Sequence, residues 1–284
     1  MMLLGKLAIL LITFVAQAPL PPARHRLAPP RPAQTFRIKT DNVPQAEISG
    51  VILPAHGQAK GTLFFCHGLN RQKEDFYGWE WVRRELGWNI VLFDFREHGE
   101  SSRTIHVCTL GYYEIWDVKA VVDHAEALGL AKPYAIYGMS MGASTGIRWA
   151  SKDPRISGVL ALSPYRNGLR ACTQYARGKW HVPFDDEDLH PGLRKMLGEV
   201  DLPTSVAKRN DLRLWILVGQ RDYFPVSDER AILDASPAPA AMKHLFVIPG
   251  GYHYNLWSWR GNKTVPAHDR ILRDFLDECQ RTRR

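Results

Sequence analysis

A serine between two glycines is the feature of this sequence with the clearest chemical potential. Ser140 is the centre of a Gly-x-Ser-x-Gly motif (residues 138–142) that directly follows the apolar run Tyr134–Tyr137. This order favours a strand that turns sharply into a helix, because the glycines leave room where the two elements cross. The strained turn lifts the hydroxyl at its apex clear of the sheet. The motif therefore predicts that Ser140 is a nucleophile.

A serine nucleophile needs a base to take its proton and an acid to orient that base. His253 lies in a glycine-rich loop just past the apolar run Leu245–Ile248, and Asp222 follows the apolar run Leu212–Val218. Because the carboxyl ends of parallel strands meet at one edge of a sheet, we expect both side chains near the serine. We predict His253 as general base and Asp222 as its acid. Asp228 is the alternative acid, although its helical position is more typical of a solvated or capping carboxylate.

Two backbone N–H groups are candidates for binding the oxyanion that such a reaction forms. Residues 66–70 follow another apolar run, and Gly68 lets the chain turn so that the N–H of Leu69 faces a substrate carbonyl. The N–H of Met141, behind the serine, is the second predicted donor. His67 is expected to stabilise the turn rather than to catalyse. The cysteine spacing offers no zinc signature, and we predict neither a metal nor another cofactor.

The elements that must position these residues follow an alternating pattern of strands and helices. This pattern predicts an α/β fold with a mostly parallel central sheet and helices on both faces. The predicted strands are residues 36–40, 48–53, 62–66, 89–94, 134–137, 158–162, 212–218 and 245–248, and the predicted helices are residues 113–128, 145–150, 226–233 and 267–279.

The interval between the sixth and seventh predicted strands is far longer than an ordinary connection in such folds. We expect a cap inserted over the site at about residues 164–211. A solvated excursion far from any chemistry is the alternative. Aromatic residues at Trp79, Trp81, Tyr175 and Trp180 are candidates for an apolar acyl pocket, but aromatic side chains at this density more often belong to the core.

The sequence between about residues 36 and 279 resembles the α/β-hydrolase superfamily of serine hydrolases, its esterases and lipases in particular. The resemblance rests on the Gly-x-Ser-x-Gly motif, the chain order Ser140, Asp222, His253 and the His-Gly turn at residues 67–68. It implies cleavage of a carboxylic ester, from a small-molecule or lipid acyl substrate, through an acyl-enzyme on Ser140. Thioester or amide hydrolysis and acyl transfer use the same residues and remain alternatives. A non-catalytic scaffold of this fold is less favoured, because it has no physical need of all three side chains.

Residues 94–101 look like a second motif of the superfamily, an Asp-x-Arg-x-His-Gly-x-Ser loop, with Glu97 where glycine is common. The resemblance implies that this loop helps to build the core and the floor of the site. His98 is therefore expected to be structural. The departure at Glu97 affects the shape of the loop and leaves the three predicted catalytic residues intact.

The basic residues of the chain are concentrated at its ends. The formal net charge is +8, but nine of the 37 lysines and arginines lie in the first forty and last four residues. The remaining 28 basic residues are balanced by 29 acidic residues, so the body of the chain carries almost no net charge. This distribution argues against a nucleic-acid partner.

The first residues have the composition of a targeting segment. Residues 1–18 contain one lysine, then the apolar run 7–15 and an Ala-Gln-Ala site, as in a signal peptide or an anchor. Pro19 after this site disfavours cleavage. We expect an exported or membrane-anchored protein, with membrane association through residues 1–18, and a cytoplasmic protein is the alternative. Residues 19–35 are predicted as a proline-rich linker that precedes a hydrolase-like domain at residues 36–284.

Four cysteines are too few for a disulfide scaffold. Cys66 lies inside a predicted strand and is expected to be a small buried hydrophobe. Cys108 and Cys172 fall in predicted loops near the site, and a bridge between them stays open if the protein is exported.

Overall fold

Eight strands form one sheet in the computed structural model, which describes residues 27–181, 183–256 and 266–281. The strands are β1 (Gln34–Lys39), β2 (Glu47–Leu53), β3 (Thr62–Cys66), β4 (Asn89–Phe93), β5 (Tyr134–Met139), β6 (Ile156–Leu162), β7 (Arg213–Gly219) and β8 (Lys243–Ile248). Their order across the sheet is β1-β2-β4-β3-β5-β6-β7-β8. β2 pairs antiparallel with both β1 and β4, and every other neighbouring pair is parallel.

Seven α-helices accompany the sheet in the described residues. They are α1 (Glu114–Ala127), α2 (Met141–Ala150), α3 (Gly168–Trp180), α4 (Pro191–Gly198), α5 (Leu202–Val206), α6 (Val226–Ala235) and α7 (Pro266–Arg281). Short 3₁₀ turns lie at Lys73–Phe76, Asp186–Asp188 and Ala240–Met242, and a π-helical turn lies at Val82–Leu86.

The predicted fold class is confirmed, and each predicted strand agrees with an observed strand to within two residues at either end. The strands were readable because the central ones are apolar throughout: every residue of β3 and β4 is buried. The helix after Ser140 was placed too late. It was predicted from Thr145, but α2 begins at Met141, because the chain turns into the helix directly after the serine.

The core consists of two clusters that lie on opposite faces of the sheet, as expected when successive side chains of a strand alternate. Along β5, Ile136 belongs to one cluster and Tyr137 to the other. The first cluster includes apolar side chains of α1, α2 and α6, among them Val122, Ile147 and Ile232. The second includes the apolar stripe of α7. Covering both faces fixes the sheet, and with it the edge at which the candidate residues meet.

The long interval between β6 and β7 is largely helical. It contains α3, α4 and α5, and it forms a small apolar cluster of its own from Cys172, Ala176, Phe184, Leu189 and Leu197. A polar tie joins it to the body of the protein: Arg170 and Gln174 on α3 donate hydrogen bonds of 2.9–3.3 Å to the carboxylate of Asp228 on α6.

The segment predicted as a signal peptide or anchor, residues 1–18, lies outside the described residues, as do the first eight residues of the predicted linker. The last two residues of that linker, Gln34 and Thr35, belong to β1. No helix in the described part of the chain is both long and apolar enough to cross a membrane.

All four cysteines are buried free thiols. Cys66 lies in the core beneath β3, as the sequence indicated. The bridge between Cys108 and Cys172 that the sequence left open is not formed in this structure. The Sγ of Cys108 instead lies 3.2 Å from the Sδ of Met141.

Candidate active site

The turn at Ser140 has the strained geometry that its flanking glycines suggest. Ser140 has φ 48° and ψ −115°, in the region of positive φ that residues with a side chain rarely adopt. A Cβ on Gly142 would lie 2.0 Å from the carbonyl oxygen of Cys66, and one on Gly138 would lie 2.6 Å from the Cα of Ala143. Both positions therefore require glycine, because backbone meets backbone where β3, β5 and α2 cross.

Ser140, His253 and Asp222 are brought together at the carboxyl edge of the sheet, at the ends of β5, β8 and β7. The Nε2 of His253 lies 3.0 Å from the Oγ of Ser140, and its Nδ1 lies 2.9 Å and 3.2 Å from the two carboxylate oxygens of Asp222. An ionised carboxylate only accepts, so Nδ1 carries the proton and Nε2 is left to accept from the serine hydroxyl. Both the imidazole and the carboxylate are almost completely buried.

Asp222 is held by two donors besides the histidine. The Oγ of Ser163 donates a hydrogen bond of 2.6 Å to Oδ2, and the backbone N–H of Phe224 donates one of 3.1 Å to Oδ1. Ser163 directly follows β6 and has φ 46°. Ser163 is not among the residues predicted from the sequence, although its place just beyond the carboxyl end of a central strand is a usable signal.

Aromatic rings enclose the imidazole of His253. The rings of Tyr223, Phe224 and Tyr254 have centroids 4.7 Å, 5.2 Å and 5.1 Å from it. At the open side, the Nζ of Lys179 donates hydrogen bonds of 2.9 Å and 2.8 Å to the hydroxyls of Tyr175 and Tyr254. Exclusion of water by these rings strengthens the hydrogen bonds between histidine, aspartate and serine.

The alternative acid, Asp228, is used elsewhere. Its side chain is almost fully buried and accepts from Arg170 and Gln174, so it joins α6 to α3 rather than orienting the histidine. The solvated or capping role that its helical position suggested is also wrong, because this buried carboxylate forms hydrogen bonds between two helices.

Both predicted oxyanion donors border the serine. Leu69 lines the cavities on either side of Ser140, and among the described residues its N–H has no hydrogen-bond acceptor. A hydrogen bond of 3.1 Å from the N–H of Arg71 to the carbonyl of Gly68 closes the turn that presents it. Met141 is the first residue of α2, and the first N–H groups of a helix have no partner within the helix.

His67 and His98 are both buried and hydrogen-bond to the backbone, through both ring nitrogens in His67 and through Nδ1 in His98. The Nε2 of His67 accepts from the N–H of Phe95 at 3.0 Å, so its Nδ1 carries the proton and donates to the carbonyl of Gly68 at 2.8 Å. Burial, with the nearby His98 as a smaller cause, holds the pKa of His67 well below its usual value. Burial also lowers the pKa of His98, whose Nδ1 donates to the carbonyl of Arg96.

Glu97, the residue that departs from the superfamily pattern, has φ 64°, the conformation in which glycine is common. Its carboxylate accepts hydrogen bonds from the N–H groups of Thr104, Ile105 and His106, at 2.6–3.1 Å. The side chain thus organises the loop that leads to Cys108, and these three bonds compensate for the backbone strain.

Two cavities meet at Ser140. One, of about 60 Å³, is mainly apolar and is lined by Cys108, Leu110, Met141, Tyr165, Ala171, Cys172, Leu193, Leu197 and Phe224. The other, of about 30 Å³, is lined by Gly68, Arg71, Met139, Leu162, His253, Tyr254 and Leu256. Leu69, Ser140 and Tyr175 border both cavities. Of the aromatic residues proposed for an acyl pocket, Tyr175 lines these cavities, whereas Trp79 belongs to the core.

No group of three or more His, Cys, Asp or Glu side chains in the described residues could hold a metal ion. Burial raises the pKa of the Cys172 thiol to about 12 and raises that of Cys108 well above its usual value. Both thiols therefore remain protonated near neutral pH, and they contribute apolar surface to the larger cavity.

Comparison with known proteins shows what this chain resembles. Residues 61–189 match the family described as the α/β hydrolase fold. An uncharacterized protein of Bacillus subtilis, YqkD, is 25% identical over 248 residues, which cover 81% of this chain and 75% of that protein. A candidate esterase of Synechocystis is 32% identical over 140 residues, which cover 42% of this chain and 38% of that protein.

Solved structures agree on the fold. An esterase of Pyrococcus furiosus superposes with a TM-score of 0.64 at 20% identity, covering 90% of this chain and 97% of that one. A soluble variant of a monoglyceride lipase of Saccharomyces cerevisiae gives a TM-score of 0.62 at 16% identity, covering 92% of this chain and 98% of that one. The chain therefore has the α/β-hydrolase fold, residues 61–189 match that family, and the solved structures of similar fold include an esterase and a lipase.

Proposed function

We propose that this protein is a serine hydrolase that cleaves a carboxylic ester through an acyl-enzyme on Ser140. The observation that carries the proposal is the continuous chain of hydrogen bonds from Ser140 through His253 to Asp222, with distances of 3.0 Å and 2.9 Å. These three groups come from three loops far apart in sequence. Their alignment at one sheet edge supplies the nucleophile, base and orienting acid that acyl transfer requires.

The first half of the reaction forms the acyl-enzyme. The Oγ of Ser140 attacks the carbonyl carbon of the ester while the Nε2 of His253 takes the hydroxyl proton. The N–H groups of Leu69 and Met141 stabilise the tetrahedral oxyanion. The C–O bond to the alcohol then breaks, and His253 gives its proton to the departing alcohol.

The second half releases the acid. A water molecule replaces the alcohol, and His253 takes one of its protons as the oxygen attacks the acyl carbon. When the bond to Ser140 breaks, the serine recovers its proton from the imidazolium. Asp222 remains ionised throughout and stabilises the positive charge that appears on His253 in each half.

The two cavities support an assignment of the substrate's two parts. The apolar cavity, with Leu110, Leu193 and Leu197 in its lining, suits the acyl chain. The smaller cavity contains His253, which must reach the departing alcohol, so it suits the alcohol part. We propose that the helical segment between β6 and β7 is the cap over this site, because Tyr175 from α3 borders both cavities.

Labelling with a fluorophosphonate probe tests the proposal, because the probe forms a covalent bond only with an activated serine. We expect the unmodified protein to be labelled at Ser140, with the adduct located by peptide mass spectrometry. The variant Ser140→Ala should lose both the label and the hydrolysis of a short aryl ester. Ser227 is exposed at the start of α6, and the matched control Ser227→Ala should keep both. Absence of labelling in the unmodified protein would favour the non-catalytic scaffold.

A further inference from the structure

A third cavity, of about 220 Å³, lies away from the candidate active site, among α2, α4 and α5. It is lined by the C-terminal ends of α2 and α4 with the residues that follow each, and by α5 with the residues on either side of it. The lining residues are Arg148, Ser151, Lys152, Gly198, Glu199, Asp201, Thr204, Ser205 and Lys208. None of these residues lines either cavity beside Ser140.

Three cations border this cavity, and none of them forms an ion pair with a described residue. In the described part of the chain, Arg148, Lys152 and Lys208 each have no carboxylate oxygen within 4.0 Å. Burial, together with the charges of Lys208 and Arg148, lowers the pKa of Lys152. The like charges of these three side chains repel one another across the cavity, and a bound anion would reduce that repulsion.

Arg148 forms the floor of the cavity and is only 8% exposed. Its terminal nitrogens donate to the carbonyls of Gly111 and Glu199, at 2.5 Å and 3.3 Å. Its Nε–H is buried and has no acceptor among the described residues. A buried guanidinium that is satisfied only by carbonyls, with one donor unused, is costly unless a ligand completes it.

The two acidic side chains of the lining leave this excess of positive charge in place. Asp201 caps α5 by accepting the N–H of Thr204 at 2.9 Å. Glu199 is exposed and forms no ion pair with any described residue. The lining therefore carries a net positive charge. Of its three hydroxyls, those of Ser151 and Ser205 donate to the carbonyls of Ile147 and Asp201, which leaves the hydroxyl of Thr204 as a donor beside the cations.

We propose that this cavity binds a tetrahedral oxyanion of the phosphate type, either as free phosphate or as the phosphoryl group of a small phosphorylated molecule. The guanidinium of Arg148 at the floor, two lysines at the rim and the hydroxyl of Thr204 match an anion with several acceptor oxygens. The chemistry is distinct from the acyl transfer at Ser140 and does not depend on it.

Isothermal titration of the full chain with inorganic phosphate, and separately with glycerol phosphate, tests this site at constant ionic strength. We expect saturable 1:1 binding of at least one of the two probes. Lys152→Gln and Lys208→Gln should each weaken binding about 10-fold, the effect of losing one charge-assisted hydrogen bond. Both lysines are exposed, so these variants should fold. Lys195→Gln, an exposed lysine of α4 outside the cavity, is the matched control and should bind as the unmodified protein does.

Glu199→Gln provides a test in the opposite direction. Removal of this rim carboxylate should tighten phosphate binding several-fold, because it repels the anion. If neither probe binds, or if Lys152→Gln, Lys208→Gln and Lys195→Gln bind phosphate equally, the proposal is overturned. In that case the cations serve only to offset the negative C-terminal end of α2, and Lys152→Gln would lower the melting temperature without any change in phosphate binding.

Discussion

Ser163 donates a hydrogen bond of 2.6 Å to the carboxylate of Asp222, the same carboxylate that accepts from the imidazole of His253. Ser163 directly follows β6 and Asp222 lies beyond β7, so this bond links the loops at two neighbouring strand ends. It restrains the carboxylate that contacts the Nδ1 of His253. Ser163 is in our view a positioning residue, since it acts on the substrate only through Asp222 and His253.

Ser163→Ala should lower kcat about 10-fold and leave KM nearly unchanged, because the carboxylate loses a charge-assisted hydrogen bond and with it part of its orientation. Steady-state kinetics on a short aryl ester give the two parameters separately. Ser227→Ala, at an exposed position, is the control for serine removal. If KM instead rose about 10-fold while kcat stayed unchanged, Ser163 would act in substrate binding.

Asp222→Asn should reduce kcat by roughly 10⁴, because an amide cannot hold the histidine in the required tautomer. Asp228→Asn is a demanding control, since it also removes a buried carboxylate from the loop and helix that follow β7. We expect this control to lower the melting temperature while kcat changes less than about 10-fold, because Asp228 pairs with Arg170 and not with His253. If both variants lost kcat to a similar extent, Asp222 would not be the acid that orients His253.

Glu229 should make the free energy of unfolding depend on pH. This glutamate of α6 is fully buried, and neither carboxylate oxygen has a hydrogen-bond partner among the described residues. Burial, and then the charges of Asp222 and Asp228, raise its pKa well above the ordinary value of 4.5. The native protein therefore keeps a proton that the unfolded chain releases, so the free energy of unfolding falls as the pH rises above 4.5.

Glu229→Gln should remove this loss, because an amide does not ionise. Relative to the unmodified protein, its free energy of unfolding should rise by up to about 1.4 kcal/mol per pH unit between about pH 5 and pH 8. Urea denaturation at several pH values measures the difference. The exposed Glu187→Gln should follow the unmodified protein at every pH. Parallel curves for Glu229→Gln and the unmodified protein would contradict the assignment.

Leu193→Ala should widen the apolar cavity and shift the preference towards longer acyl chains. Leu193 of α4 is only partly buried, so its truncation should enlarge the cavity without loss of the fold. We expect the ratio of kcat/KM for a hexanoate ester to that for the acetate ester to rise about 10-fold, near the value of one or two methylenes in an apolar pocket. Leu128→Ala, at an exposed position after α1, should leave the ratio unchanged. No change in Leu193→Ala would place the acyl chain in the other cavity.

The strands of the sheet could be predicted because each is marked by the residues of its own short segment. Strands such as β3 and β4 are buried on both faces, so an unbroken apolar run marks each of them. The meeting of Ser140, Asp222 and His253 at one edge of the sheet could be predicted for a related reason. Each residue follows such an apolar run, and parallel strands end at a common edge.

The contacts that cross the structure could not be predicted in this way. The bond from Ser163 to Asp222, and the carboxylate of Glu97 that organises residues 104–106, depend on how loops meet in space. The role of Asp228 was predicted wrongly for the same reason, because its partner Arg170 lies in the helical segment between β6 and β7. The start of α2 was missed because a serine at φ 48° is fixed by the surrounding backbone and not by helix propensity.

α3, the first helix of the segment between β6 and β7, forms two polar contacts with the body of the protein that differ in strength. The carboxylate of Asp228 that receives Arg170 and Gln174 is almost wholly shielded from water, whereas the contact of Lys179 with the hydroxyl of Tyr254 lies at the surface. Water can replace the second contact at little cost, but separation of the first would strand a charge in the interior. We therefore expect α3 to move about its Asp228 side, with substrates entering and leaving past Tyr254.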